Sequence, residues 1–192
     1  MEREGMPPAG HDAVYSPVAR GFHWLTVAAV FVMIPLGLYM VWRGKVTNFD
    51  ATTGQLYDVH KLLGFSTLIL VVARLAYRLK NGAPPDEPTL EWWQKAGAHL
   101  THWSLYGLLL AMPLLGWLGV SLYGARSIFG LFSLPSLAAQ DQAASETVFF
   151  VHFLAAMLLL LLIGAHVGAA LFHHFIRKDG VLRRMLPGLP RR

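Results

Sequence analysis

Apolar residues gather in four long stretches, Phe22 to Trp42, Val59 to Tyr77, Leu100 to Tyr123 and Val148 to Phe172. Each holds at least 19 residues, so a helix through it reaches ~28 Å or more, enough for a hydrocarbon core of roughly 30 Å. The pattern predicts four membrane-spanning helices. A soluble bundle would need a polar outer face on each helix, whereas Leu158 to Ile163 is apolar all round. The fold class is therefore all-α, an integral membrane four-helix bundle forming one domain over residues 1–192. The first stretch is too long for a signal-peptide core and is closed by no small-x-small cleavage site, so it is expected to be retained. Of the connections, Asn81 to Pro88 reads as a Pro-rich turn. Glu91-Trp92-Trp93 reads as a surface-lying segment with its indoles at the headgroups, and Gly124 to Ser145 as an outer loop holding a short helix.

Composition agrees with a membrane protein and removes other classes. The chain is 55% hydrophobic and 14% charged, against about 25% charged in ordinary soluble domains. Its net charge of +5 comes from Lys and Arg scattered around the apolar blocks, which argues against disorder and against nucleic-acid binding. The basic residues sort by side instead. An even number of spans puts both termini together, and 12 Lys and Arg fall on that side: Arg3, Arg20, Arg74, Arg78, Lys80, Lys95, Arg177, Lys178, Arg183, Arg184, Arg191 and Arg192. Only Arg43, Lys45, Lys61 and Arg126 lie opposite. Because basic residues are held in the cytoplasm, both termini and the 78–99 loop are predicted to be cytoplasmic.

Cysteine is absent, which excludes disulfides, Cys-ligated zinc, iron–sulfur clusters and thioether-attached haem. Nine His remain as candidate ligands. His152 and His166 share the fourth span, and their 14-residue spacing returns to nearly the same face while separating them by ~21 Å along the axis. His23 opens the first span at the depth of His166, and His60 opens the second near the depth of His152. A neutral imidazole is a good iron ligand, and iron held between two of them is six-coordinate, which suits electron transfer. Four His in two layers thus read as two b-type haems. A zinc or copper site would instead gather three or four ligands at one depth. His99 and His102 begin the third span, so depth alone leaves them as rivals to His23. His11 is read as uninvolved.

The same register singles out further residues. Fourteen positions beyond His60 stands Arg74, placed to pair with a haem propionate. Fourteen beyond His23 and His102 stand Gly37 and Gly116, and one turn after His60 stands Gly64, each a place where a missing side chain would admit a macrocycle. Gly164 and Gly168 read as helix-packing residues.

Taken in order, these pieces resemble the bacterial cytochrome b561 family. The resemblance rests on Arg20 with His23-Trp24, His60 with Gly64, and Ala73-Arg74-Leu75 leading to Arg78-Leu79-Lys80 and Pro84-Pro85. It continues through Ala98-His99-Leu100 with His102, Pro113 and Gly116. It ends with His152, His166, His173-His174, Lys178-Asp179, Arg183-Arg184-Met185 and Pro187. It implies a dihaem membrane cytochrome in which His23 pairs with His166 and His60 with His152, in preference to His99 and His102. It further implies a bacterial inner-membrane location and single-electron transfer to ubiquinone, with superoxide or a redox protein as outer donor. Arg78, Lys80, His173 and His174, at the cytoplasmic interface, become candidates for the quinone site. The rival reading is a membrane-anchor cytochrome b that relays electrons from a separate hydrogenase- or dehydrogenase-like enzyme. Arg43, Lys45 and Lys61 could form a local patch that steers superoxide, although the outer charges sum to zero with Asp50, Asp58, Asp141 and Glu146.

Overall fold

A computed structural model describes residues 14–189; Arg3, His11, Arg191 and Arg192 lie outside them. The four apolar stretches form α1 (Pro17–Val46), α2 (Ala51–Asn81), α3 (Trp92–Tyr123) and α4 (Gln142–Phe172). Each helix outruns its apolar stretch because the capping residues sit in the polar flanks. Ser16 caps α1 ahead of Pro17, its Oγ accepting from Ala19 N–H at 3.2 Å. Asp50 caps α2 through Thr53 N–H at 2.9 Å, and Asp141 caps α4 through Ala144 N–H at 3.0 Å. Glu91 and Gln94 form a capping box, so α3 begins at Trp92. The expected surface-lying segment is therefore the first turn of α3, with both indoles exposed.

The outer loop also departs from expectation. In place of a short helix it folds as an antiparallel hairpin, β1 (Ser127–Ile128) and β2 (Phe132–Ser133). Phe129 at φ 51° and Gly130 at φ 70° turn the chain, a left-handed pair that matches strand twist and breaks a helix. The hairpin is fastened to α2. Asp58 accepts from Phe129 N–H at 2.9 Å, and Lys61 donates to the carbonyls of Ala125 and Ser127.

The result is an all-α membrane bundle. α1 packs on α2, α2 on α3 and α3 on α4. Side chains such as Phe31 (80% exposed) and Leu161 (69%) face outward all along the helices, as lipid contact requires. The dry centre is small: Val71, Leu109 and Leu159, flanked by Val30, Met112 and Ile163. Leu159 stands seven residues from His152 and seven from His166, so this apolar plug lies between the two His levels.

At the end carrying the termini, the chain folds back on itself. After α4 come a π-helical turn (His173–Arg177) and a 3-10 turn (Leu182–Arg184). Arg177 donates to the Thr89 carbonyl at 3.0 Å, and Arg184 donates to that of Pro85. Tyr15 N–H reaches the Arg184 carbonyl at 3.1 Å, and Trp24 Nε1 reaches that of Met185 at 3.5 Å. Glu87 is buried beneath this layer and accepts from Thr89 N–H at 2.8 Å. The basic tail is thus a lid over the helix ends next to His23.

Candidate functional site

Two histidine pairs bridge α4 to its neighbours. His23 of α1 faces His166 with ring centroids 6.3 Å apart and planes at 67°. His60 of α2 faces His152 at 6.4 Å and 76°. A metal–imidazole bond is about 2.0 Å and a ring nitrogen lies a little over 1 Å from its centroid, so two imidazoles trans on one iron stand about 6.3 Å apart. Both pairs match that separation. His102 lies 5.3 Å from His166, about 1 Å short of it. His99 turns to the surface, with Nε2 3.2 Å from Asp86.

Other features fit a large planar group between these rings. α4 packs mainly on α3, and His166 and His152 reach from it toward His23 of α1 and His60 of α2. His152 Nδ1 donates to the Met112 carbonyl at 3.1 Å, which leaves Nε2 with the lone pair a metal needs. Nδ1 of His60 is buried without a partner, and so are Nε of Arg20, Nε of Arg43 and Nη1 of Arg78. Orphaned polar atoms of this kind cost about 1–3 kcal/mol each. Guanidinium nitrogens among them are the donors that an anionic propionate would satisfy. Among the described residues, no three His, Asp or Glu gather around one metal-sized point.

Comparison with known proteins gives the chain its relatives. The family described as Prokaryotic cytochrome b561 matches residues 14–188. Cytochrome b561 homolog 2 of Escherichia coli (strain K12) is 32% identical over 173 residues, covering 90% of each chain. Cytochrome b561 homolog 1 of the same organism is 32% identical over 165 residues, 86% of this chain and 92% of the relative. The probable superoxide oxidase CybB of Yersinia pestis is 29% identical over 177 residues, 90% of this chain and 96% of the relative.

The chain belongs to the prokaryotic cytochrome b561 family. It is a bacterial membrane cytochrome of the b type, a haem b protein of electron transfer.

Within this b561 framework the remaining candidates take definite places. Gly37 lies against His60: a Cβ there would come within 3.1 Å of the imidazole Cε1. Gly116 lies against His152 in the same way, at 3.4 Å, so the two glycines clear room for the imidazoles themselves. Gly64 faces Met33 Cε at 3.5 Å. Arg74 sets Nη2 3.1 Å from Nδ1 of His23, with its guanidinium 5.2 Å from the centre of the Tyr106 ring. Of the quinone-site candidates, Lys80 is exposed and Arg78 is half-buried. His173 and His174 open the π-helical turn, where His173 binds Asp179 at 2.6 Å and His174 packs on Phe175.

The basic patch expected on the side away from the termini is largely cancelled. Arg43 is paired with Asp50 at 2.6 Å and Lys61 with Asp58 at 2.7 Å. Lys45 is exposed and has no ion pair among the described residues. Sequence reasoning missed the Lys61 clamp, although Asp58 and Lys61 stand three apart on one helix face, a spacing that announces a pair. It also missed Tyr106 and the Met112 carbonyl, and it named Asp179 only as part of the resemblance without its partner His173; none of these belongs to a periodic pattern of ligands.

Proposed function

We propose that the protein holds two haems b and carries single electrons across the bacterial inner membrane, from an outer-side donor to ubiquinone. The observation that supports this most directly is the pair of imidazole couples, each at the spacing of two trans ligands and each at its own depth. His60 and His152 would hold the outer haem, and His23 and His166 the inner one. Bound there, haem b would supply reversible one-electron chemistry. The chain's own residues do the rest. The Met112 carbonyl orients His152, and Gly37 and Gly116 admit the outer rings. Val71, Leu109 and Leu159 keep the space between levels dry. Arg20, Arg74 and Arg78 offer charge to propionates at the inner level. On this reading Arg78, Lys80, His173 and His174 face the quinone at the cytoplasmic end.

Superoxide is the donor that the name of the Yersinia pestis relative suggests. A second reading, an anchor cytochrome taking electrons from a partner enzyme, is favoured by the outer hairpin. Phe129, Leu131 and Phe132 are exposed there, while Lys61 and Asp58 beneath the hairpin are paired with each other. Haem quantification with a reduced-minus-oxidised spectrum tests the common core: two low-spin, non-covalent haems per chain are expected. Ala at His60 or His152 should deplete one haem, and Ala at His23 or His166 the other. One haem in a fully loaded sample, or an intact content after His166→Ala, would reject the assignment. Rapid reduction by superoxide separates the two donors.

A further inference from the structure

Asp179 and His173 form a largely buried dyad that depends on an unusual local chain path. Along an ordinary helix six residues turn by roughly 600°, which would leave Asp179 on a face well away from His173. Here the helix widens into the π-helical turn His173–Arg177, and Lys178, at φ 55°, reverses the chain. Asp179 thereby returns to His173, and its N–H reaches the His173 carbonyl at 3.3 Å. Its Oδ2 accepts from His173 Nδ1 at 2.6 Å, and its Oδ1 accepts from Val181 N–H at 3.1 Å. Arg177 Nε stands 3.6 Å from Oδ2. The Asp179 side chain is 6% exposed and that of His173 12%. The carboxylate is held on both oxygens, so the imidazole ring it binds has one tautomer and one orientation. Nε2 of His173 is the nitrogen left over, with no partner among the described residues. π-Turns are rare and concentrate at functional sites.

We propose that Asp179 is a positioning residue that fixes His173 with hydrogen on Nδ1, so that Nε2 delivers protons to the quinone; this rests on the quinone reading above. Reducing one quinone to its quinol consumes two electrons and two protons. The electrons are supplied singly by the outer-side one-electron reductant. Each proton leaves Nε2 of doubly protonated His173, bonds a quinone carbonyl oxygen, and is replaced from cytoplasmic water. The neutral ring that remains keeps its hydrogen on Nδ1, facing Asp179.

The test is stopped-flow reoxidation of the full-length, haem-loaded, pre-reduced protein by a short-chain ubiquinone, with ferricyanide as an oxidant that takes up no proton. Asp179→Asn is expected to slow reoxidation by quinone at least about tenfold, with haem content and the ferricyanide rate unchanged. Asp179→Glu should recover much of the loss. His173→Gln should be as slow as Asp179→Asn, and the double variant no slower than His173→Gln, because both act through one group. A wild-type quinone rate in Asp179→Asn beside a slow His173→Gln overturns the role of Asp179 and leaves the quinone reading standing. A wild-type quinone rate in His173→Gln overturns both. If Asp179→Asn loses haem, the wild-type protein decides: heavy water should slow the quinone reaction about twofold and leave ferricyanide unaffected. No isotope effect overturns the proposal.

Discussion

Nη2 of Arg74 lies 3.1 Å from Nδ1 of His23, and because a guanidinium can only donate, that ring nitrogen accepts. A neutral imidazole accepting at Nδ1 carries its hydrogen on Nε2, where it has no lone pair left for iron. Arg74 and a metal therefore compete for His23. On the proposed two-haem reading, haem loading at the His23–His166 level is expected to release Arg74, freeing its charge for a propionate. Arg74→Ala should then lower the inner midpoint potential by roughly 50–100 mV, since a nearby positive charge favours the reduced form. A redox titration reads this directly, and an unchanged potential would remove Arg74 from the inner charge balance.

Gly37 and Gly116 give the His60–His152 level a steric signature. A Cβ at Gly37 meets His60 Cε1 at 3.1 Å, tighter than ordinary contact. Gly37→Ala should push the ring aside, lower outer haem occupancy and cost about 1–3 kcal/mol of stability. Gly116→Ala should act more weakly, because its Cβ would meet His152 at 3.4 Å. Gly64→Ala should be milder again, since the terminal methyl of Met33 at 3.5 Å can move. Full haem content and an unaltered low-spin EPR signal in Gly37→Ala would contradict this order.

The paired outer charges set an expectation for superoxide. Arg43 and Lys61 already have carboxylate partners, so of the three patch residues Lys45 alone has no ion pair among the described residues. Replacing Arg43, Lys45 and Lys61 by Gln should therefore change the salt dependence of superoxide-driven haem reduction little. Any loss should be matched by Lys61→Gln alone, because that change unfastens the hairpin from α2. A steep salt dependence in the parent that the triple variant lacks would restore a steering role.

Asp50 links the α1–α2 turn to pH. Its hydrogen bonds from Thr53, and then its pairing with Arg43, hold the carboxyl below the usual carboxylate range. A carboxyl lowered on folding contributes stability that is present above its unfolded value and is lost as pH falls through the folded one. Asp50→Asn should thus lower the melting temperature at neutral pH, with the difference shrinking under acid conditions. A difference that grows on acidification would reverse the sign.

Orientation follows from where Lys and Arg fall. Of the 16, 12 lie on the side of the termini, so reporters fused after Arg192 should behave as cytoplasmic, and those within 138–144 as periplasmic. The opposite pattern would exchange the inner and outer levels throughout.

Much of the architecture was legible because it depends on length and period alone. Nineteen or more apolar residues must span or be hidden, and the fourteen-residue step from His152 to His166 repeats one helix face whatever the neighbours do. Gly37 and Gly116 stood out by the same register, although what they clear is the His60 and His152 rings rather than open space for a macrocycle. What only the tertiary structure decided is whatever rests on rotamers and on chain reversals. The 5.3 Å approach of His102 to His166, against 6.3 Å for His23, depends on side-chain direction, which depth along a helix does not specify. The hairpin hangs on left-handed backbone at Phe129, a conformation no apolar pattern encodes. Asp179 meets His173 only because a widened turn and a left-handed Lys178 bring them together. Charges counted as a patch became ion pairs with Asp50 and Asp58, because electrostatics acts over ångströms while a sequence records only order.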